Sequence, residues 1–402
     1  MVDDMKLVEI NTVCNVATGK IMGDTQRIAN QAGYETISFY GRRKGYKDIR
    51  CKKFGNIFSF LSHVFISVVF DAEGRGSYFA TKKLIRLIKK ENPNIIHLHN
   101  LHGYYLNYKL LFDYLNNEYK GKIVWTFHDC WPFTGHCPHF TIANCNKWEK
   151  ECYSCPNKKN YPISLLFDNS RNNYKLKKEL FTKRNDLEII VPSQWLKNLV
   201  EKSFFKVNRV NVINNFIDLK KFKKTYDKSI YEKYKIDDSK KIVLGVANVW
   251  DERKGLSVFL KLANDLKDLQ FVLVGLSKKQ IRNIRTYKNV VGIERTDNQE
   301  ELVKIYSIAN VFINPSKEET FSMVCLEALA CSVPVIVYQN TAMEDFVNEK
   351  NGLVCKKIEK EEVLKVLKKK DFDFKNVKNY SISMYRNSIL KLYDKISRSE
   401  VK

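Results

Sequence analysis

Short runs of Val, Ile and Leu, each followed by an amphipathic helical segment, recur along the whole chain and decide its fold class. In the first half they are Lys6–Val13, Glu35–Tyr40, Asn94–Leu98, Lys122–Phe127, Leu187–Val191 and Val210–Ile213. In the second they are Lys241–Ala247, Leu269–Val274, Val290–Gly292, Val311–Asn314 and Val333–Val337. A strand with one face in water alternates apolar and polar residues, whereas a strand covered on both faces stays apolar throughout. These runs are of the second kind, so they predict parallel sheets flanked by helices: an α/β chain of two doubly wound domains. At 402 residues the chain is long for one core and comfortable for two. The seam is expected in 219–240, rich in Lys, Tyr and Asp and without a β-like run, dividing a domain over 1–218 from one over 241–380. The last segment spaces Tyr385, Ile389, Leu392 and Tyr393 as a helix, and 381–402 is expected to pack back on the first domain.

The net charge of +24 calls for an anionic partner, and nucleic acid, anionic lipid and phosphorylated substrates all qualify. Nucleic acid is disfavoured, because the lysines are spread widely and no stacking module or zinc-finger spacing of that type is present. The chain enters a strand-like run almost at once with no signal-peptide layout, so a cytoplasmic protein with reduced cysteines is expected. The most apolar stretch, Ile57–Phe70, is shorter than the roughly 20 residues that span a bilayer. It reads as a buried or interfacial helix, and a basic first domain carrying it could dock peripherally on the inner face of a membrane.

The most informative segment runs from Asn314 to Cys331. A strand ends near Asn314, a polar loop carries Glu319, and Ser322 is placed to cap a helix that holds Glu327 about one turn inside. The free N–H groups of such a helix start form a natural seat for a diphosphate, and carboxylates on either side suit sugar hydroxyls. On its own, a glutamate pair at this spacing most often just solvates a helix start. Seven residues separate the two glutamates, Phe321 lies two after the first, and Ala-Leu-Ala follows the second. This pattern resembles the signature of the family-4 retaining glycosyltransferases. The resemblance extends through Thr18-Gly19, Ile95–Asn100, Trp125–Asp129, Val191-Pro192-Ser193, Asn214–Asp218 and Arg253-Lys254-Gly255.

The resemblance implies a GT-B fold, two Rossmann-like domains around a cleft, and transfer of a sugar from a UDP- or GDP-sugar to a glycan or lipid-linked acceptor. By the same resemblance Glu327 would hold the donor ribose and Glu319 the sugar hydroxyls. The backbone at Phe321, Ser322 and Met323 would contact sugar and phosphate, and Lys254, with Arg253, would neutralise the diphosphate. His128 would lie beside the reacting carbon, and Thr18 and Gly19 would form a loop approaching phosphate or acceptor. The chain departs from the family at Asn248 (often arginine) and at Thr320, Ser332 and Phe216 (usually glycine). No Asp-x-Asp clamp is evident, so no metal is required for catalysis, and lysine, arginine and helix-start amides would stabilise the leaving diphosphate. A sugar-nucleotide epimerase of the same architecture is the rival reading.

All seven histidines precede residue 140. His128 follows a strand and is placed for function; the blander reading ties it to Asp129 as a loop residue. His97 and His99 share one strand face, and at least one is expected to complete the core rather than bind metal. Cys137, Cys145, Cys152 and Cys155 crowd a segment poor in apolar residues, with Cys130, His136 and His139 nearby. Four thiolates at this spacing are candidates for a structural zinc, with disulfides or free thiols as alternatives.

Overall fold

The computed structural model describes residues 5–16 and 18–398. Two compact units are present, the first Met1–Asn214 with Arg386–Lys402 and the second Asn215–Tyr385.

The first unit contains β1 (Lys6–Asn11), β2 (Glu35–Tyr40), β3 (Cys51–Lys53), β4 (Ile95–Leu98), β5 (Lys122–Thr126), β6 (Glu188–Val191) and β7 (Arg209–Val212). They form one parallel sheet in the order β3-β2-β1-β4-β5-β6-β7. Helices α1 (Thr18–Gln31), α2 (Ile57–Phe70), α3 (Tyr78–Glu91), α4 (Tyr108–Asn117), α5 (Ser170–Phe181) and α6 (Gln194–Lys202) connect them. Val8, Ile10, Ile96, Leu98, Ile123 and Trp125 are buried in one continuous core on one face, and Leu7, Ile95, Val124 and Ile190, which point to the other face, are buried too, as apolar runs covered on both faces require.

The second unit opens with α7 (Ser229–Tyr234) and then carries β8 (Ile242–Val246), β9 (Gln270–Val274), β10 (Val290–Ile293), β11 (Val311–Asn314), β12 (Val335–Tyr338) and β13 (Gly352–Cys355). Their order is β10-β9-β8-β11-β12-β13, again all parallel. The helices are α8 (Leu256–Asp265), α9 (Lys278–Asn283), α10 (Gln299–Ile308), α11 (Met323–Ala330) and α12 (Lys360–Lys368), before the last helix α13 (Ile382–Arg398). Two cores, one on each face of the sheet, are built from alternate residues of the same strands: Leu244 and Val272 face one, Val243 and Phe271 the other.

The stretch 219–240 is not a linker. Phe222, Ile230 and Ile236 are buried in the core of the second unit, so three widely spaced apolar residues anchor a segment whose composition is mostly charged. Tyr393 of α13 is buried in the first unit, where its hydroxyl lies 2.6 Å from His97 Nδ1, and Tyr34 donates to Asp394 at 3.0 Å. Helix α2 inverts the usual pattern. Only His63 and Ser67 are buried, while Ile57, Phe58, Leu61 and Phe65 face outward, Phe58 with 80% of its surface exposed. No helix among the described residues is long and apolar enough to cross a membrane.

Candidate active site

In a doubly wound sheet the loops leaving the two strands at the order reversal diverge to opposite faces and leave a crevice at their carboxyl ends. In the second unit those strands are β8 and β11. The loop after β8 is pinned by Trp250, whose Nε1 donates to the carbonyl of Val274 at 2.9 Å. It is also crossed closely by Gly275, where φ is +95° and an added Cβ would lie 1.6 Å from the Ala247 oxygen. That loop delivers Arg253, Lys254 and Gly255 to the start of α8. The loop after β11 delivers Glu318 and Glu319. The two meet, because Lys254 Nζ forms an ion pair with Glu319 and Arg253 donates to the carbonyl of Glu318 at 3.3 Å.

Ser322 does not cap α11 as its sequence position suggested. Its φ is +75°, a left-handed conformation that costs an L-residue about 1–2 kcal/mol, and its hydroxyl instead accepts from Asn314 Nδ2 at 2.8 Å. No side-chain cap therefore competes for the amides of the first turn, which begins at Met323. Backbone strain held by neighbouring bonds is characteristic of ligand-binding turns. The Phe321 ring packs between Phe346 and Tyr380 at 5.3 and 5.9 Å, so only its backbone belongs to the loop surface. Glu327, one turn in, accepts from the hydroxyl of Tyr306 at 2.9 Å. Tyr306 is fully buried, and burial together with Glu327 raises its pKa well above the usual range, so it remains a neutral donor. Nothing local in the sequence flags Tyr306, since it lies on α10, 21 residues away.

Two family departures have local explanations. Ser332 adopts φ +60°, which glycine takes freely, and Phe216 stacks on Tyr385 with ring centroids 4.5 Å apart. Thr320 is absent from the positive-φ residues, so a side chain there is unstrained.

In the first unit the reversal lies between β1 and β4. Asn11 ends β1, and its Oδ1 receives the amides of Thr12 at 2.8 Å and Asn100 at 3.3 Å. Thr18 Oγ1 receives Asn11 Nδ2 at 3.1 Å. Gly19 belongs to the first turn of α1, not to a loop. An added Cβ would lie 2.5 Å from the carbonyl oxygen of Val13, so its close approach is to its own chain.

His128 leaves β5 at the carboxyl end. Its Nε2 lies 3.1 Å from His99 Nδ1, and His99 Nε2 lies 3.4 Å from Glu9 Oε1. Burial raises the Glu9 carboxyl well above the usual carboxylate range, lowers His99 far below the usual imidazole range, and pushes His128 down to about 4. The three form a neutral row running from the core to the strand end. The blander sequence reading tied His128 to Asp129; in the structure Asp129 meets His102 Nε2 at 2.8 Å and the amide of Trp131 at 2.9 Å. Against the opposing effect of burial, His102 holds the Asp129 carboxyl down to about 2. His97, His99 and Glu9 bring three ligand atoms within 4.8 Å. Both nitrogens of His97 already meet hydroxyls, Tyr393 at 2.6 Å and Thr126 at 2.7 Å, which makes it a core residue rather than a ligand. His99 and His128 were singled out in the sequence; Glu9, a lone glutamate inside the apolar run of β1, was not.

Cys137, Cys145, Cys152 and Cys155 line a single cavity in the segment between β5 and α5.

Known proteins carry the same organisation. Residues 30–221 match the model of Glycosyltransferase Family 4, and residues 227–370 match that of Glycosyl transferases group 1. A putative colanic acid biosynthesis glycosyl transferase, WcaC of Escherichia coli K12, is 23% identical over 90% of this chain and 89% of its own length. A processive diacylglycerol alpha-glucosyltransferase of Acholeplasma laidlawii is 28% identical over 41% of this chain and 52% of its own. Among solved structures, sucrose-phosphate synthase of Thermosynechococcus elongatus superposes with a TM-score of 0.71 at 15% identity, covering 98% of this chain and 99% of that one. HepE of Anabaena in complex with UDP and glucose gives 0.63 at 13% identity, covering 97% and 99%. These likenesses and the two parallel sheets establish the GT-B fold, and the two family models between them take in both catalytic halves: the chain belongs to the group 1, family 4 glycosyltransferases, which transfer sugars from nucleotide-sugar donors.

Proposed function

We propose that this enzyme transfers a hexose-type sugar from a UDP- or GDP-sugar to a lipid-linked glycan in surface polysaccharide assembly, with retention of configuration and no metal in the catalytic step. The observation that carries the reading is the meeting of Lys254 with Glu319 beside the strained turn that opens α11. A lysine held at a helix start, where backbone amides concentrate positive potential, suits a departing diphosphate. Glu327, steadied by Tyr306, takes the ribose diol, and Glu319 takes the hydroxyls of the transferred sugar. The first unit takes the acceptor, and His128 contributes a neutral imidazole to the reaction. Proton transfer from acceptor hydroxyl to leaving phosphate on the same face would account for retention without a covalent nucleophile. The polysaccharide context rests on the colanic acid relative, and HepE, which shares the fold, was solved with UDP and glucose.

A thermal-shift screen across UDP- and GDP-sugars tests the donor. A ligand at 100 times its Kd stabilises the folded state by about 2.7 kcal/mol, which reads as several degrees. No shift with any nucleoside diphosphate sugar would remove the reading. Incubation with donor alone separates transfer from epimerisation: the enzyme is expected to leave the sugar stereochemistry unchanged, and an epimer appearing without acceptor would favour the rival.

A lipid-linked acceptor requires access to a bilayer surface, and α2 supplies the means. Its exposed apolar face is extended by Leu165–Phe167, tied to it by bonds from Leu165 N to Val68 O at 2.8 Å and from Phe167 N to Val69 O at 3.2 Å. Cations border this surface: Arg42 lies over the Phe60 ring at 4.3 Å, and Lys158 donates to the Leu166 carbonyl at 3.4 Å. An apolar face rimmed by cations fits an anionic membrane, each cation contributing about 1 kcal/mol near the surface. Flotation with phosphatidylglycerol vesicles at low salt is expected to carry the protein up, less so at high salt. Replacing Phe58 and Phe65 with serine should abolish flotation while sparing transfer to a water-soluble acceptor. Flotation unchanged by these substitutions, or absent from the start, would sink this part of the proposal.

A further inference from the structure

The segment from Thr134 to Pro156 has no regular structure beyond one short 3-10 turn, Lys147–Glu149, yet it closes around an interior. Cys137, Cys145, Cys152 and Cys155 all line one cavity of about 10 Å³, whose other walls include Phe140, Trp148 and Pro156 together with Lys147 and Tyr153. Phe140 and Trp148 stack at 4.8 Å beside it. All four cysteines are free thiols, and the Cys155 thiol is hydrogen-bonded to Cys137. That every cysteine of the loop lines one cavity is not what apolar packing alone produces, because a thiol serves no better there than valine or alanine.

Two further features surround the cavity. The Gly135 amide donates to Cys152 Sγ at 3.2 Å. Only glycine permits that approach, since an added Cβ would lie 2.8 Å from Cys152 Cβ and 2.1 Å from the Ser170 oxygen. Lys177 on α5 is fully buried, donates to the carbonyls of Trp131 at 2.7 Å and Thr134 at 3.0 Å, and has no ion-pair partner among the described residues. It also lies over the Trp131 ring at 3.3 Å, and a buried ammonium with no carboxylate partner favours a negative group in its surroundings.

We propose that Cys137, Cys145, Cys152 and Cys155 bind one structural zinc ion, with Lys177 beside it as the compensating cation. Zn²⁺ displaces one proton from each thiol, and the resulting four-thiolate complex carries a net charge of two minus. The Gly135 N–H, already donating to Cys152 Sγ, is an outer donor of the kind that metal thiolates take. His136 also lines the cavity. Its Nδ1 is held by Asp71 at 2.5 Å, while its buried Nε2 has no hydrogen-bond partner among the described residues, so the imidazole is the one other group that could replace a sulfur in the ligand set. A Zn–S bond of about 2.3 Å puts tetrahedral sulfurs about 3.8 Å apart. The thiols stand wider than this, since among the described residues only Glu9, His97 and His99 place three ligand atoms within 4.8 Å of one another. Binding therefore contracts and orders the loop that begins directly after His128 and Asp129. Four sulfur ligands leave no open position, so the metal takes no part in sugar transfer.

The test is elemental analysis of protein made without a histidine tag, under reducing conditions in zinc-supplemented medium. About one zinc per chain is expected. Cobalt(II) reconstitution should give sulfur-to-cobalt charge transfer with the visible bands of a tetrahedral site, and metal loading should slow proteolysis within 134–156. Replacing Cys152 and Cys155 by serine should remove the metal, whereas Cys355→Ser, in the other unit, should retain it. If the double variant does not fold, titration of the wild-type thiols with a mercurial in the presence of a zinc indicator gives the same answer: zinc should leave as these thiols react. Folded wild-type protein free of zinc, a disulfide between any two of the four, or zinc retained after all four become serine would overturn the proposal.

Discussion

Glu319→Ala is expected to lower turnover by about 10²–10³-fold while leaving nucleoside diphosphate binding intact or slightly tighter. The loss follows from positioning: a donor sugar displaced by about 1 Å from its reactive geometry loses on the order of 10²-fold, and absent hydroxyl contacts add to this. The effect on binding has the opposite sign because of the ion pair. Lys254 is engaged with Glu319 in the chain without ligand, and removing that carboxylate leaves the ammonium available to phosphate. Glu327→Ala should behave in the reverse manner. A charge-assisted hydrogen bond is worth about 1.5–3 kcal/mol, so losing the ribose contact should weaken diphosphate binding by roughly 10–100-fold. It also strands the buried hydroxyl of Tyr306, at a cost of about 1–3 kcal/mol in stability. Glu327→Gln retains an acceptor for Tyr306 and should recover the stability but not the full affinity. Calorimetric titration of the nucleoside diphosphate against each variant, read beside single-turnover rates, checks the pair. Equal loss of diphosphate affinity in both single variants would show that the two carboxylates do not have separate roles.

The sheet was legible because its central strands are covered on both faces, and such strands announce themselves as unbroken apolar runs. The strands absent from the sequence reading are β3 and β13, both at sheet edges. Cys51–Lys53 is half exposed and carries two lysines, and Gly352–Cys355 begins with glycine, so neither has the composition of an interior strand. Glu319 and Glu327 could be singled out because their spacing is local to one loop and one helix, whereas Lys254 lies 65 residues before Glu319 and was singled out by the Arg253-Lys254-Gly255 run alone. Tyr306 and the Glu9–His99 pairing were not, since each depends on residues far apart in sequence: Tyr306 on α10 meets Glu327 on α11 by helix packing, and β1 pairs with β4 so that Glu9 lies opposite His97. Ser322 shows a different limit. Its position favours a cap, but the turn places it at φ +75°, where the hydroxyl serves Asn314 instead.

The row from Glu9 through His99 to His128 leads to a second large effect. His128→Ala is expected to reduce kcat by about 10²–10³-fold, the usual cost of losing one positioned hydrogen-bonding group at a reacting centre. Diphosphate binding should be unchanged, because the proposed diphosphate contacts all belong to the second unit. The pH dependence distinguishes a neutral imidazole from an acid. Burial lowers His128 to about 4, against an ordinary imidazole near 6.5, so between those values the unfolded chain binds more protons than the folded one. Stability from this group is therefore fully present above about pH 6.5 and is lost as pH falls toward 4. The wild-type melting temperature should drop across that window, and His128→Ala should flatten the drop. The kcat profile of the wild type should show no limb near pH 6.5 from this residue, since it carries no charge to lose there. Glu9→Gln tests the inner end of the row. Burial keeps the carboxyl protonated, so it donates to His99 Nε2, which sends the proton of His99 Nδ1 toward His128 Nε2. Glutamine can still donate, so kcat should hold within a few-fold, whereas Glu9→Leu removes the donor and should lower kcat with little change in acceptor KM. A kcat limb near pH 6.5 that disappears in His128→Ala would identify His128 as a titrating acid or base, and the neutral role would then be wrong.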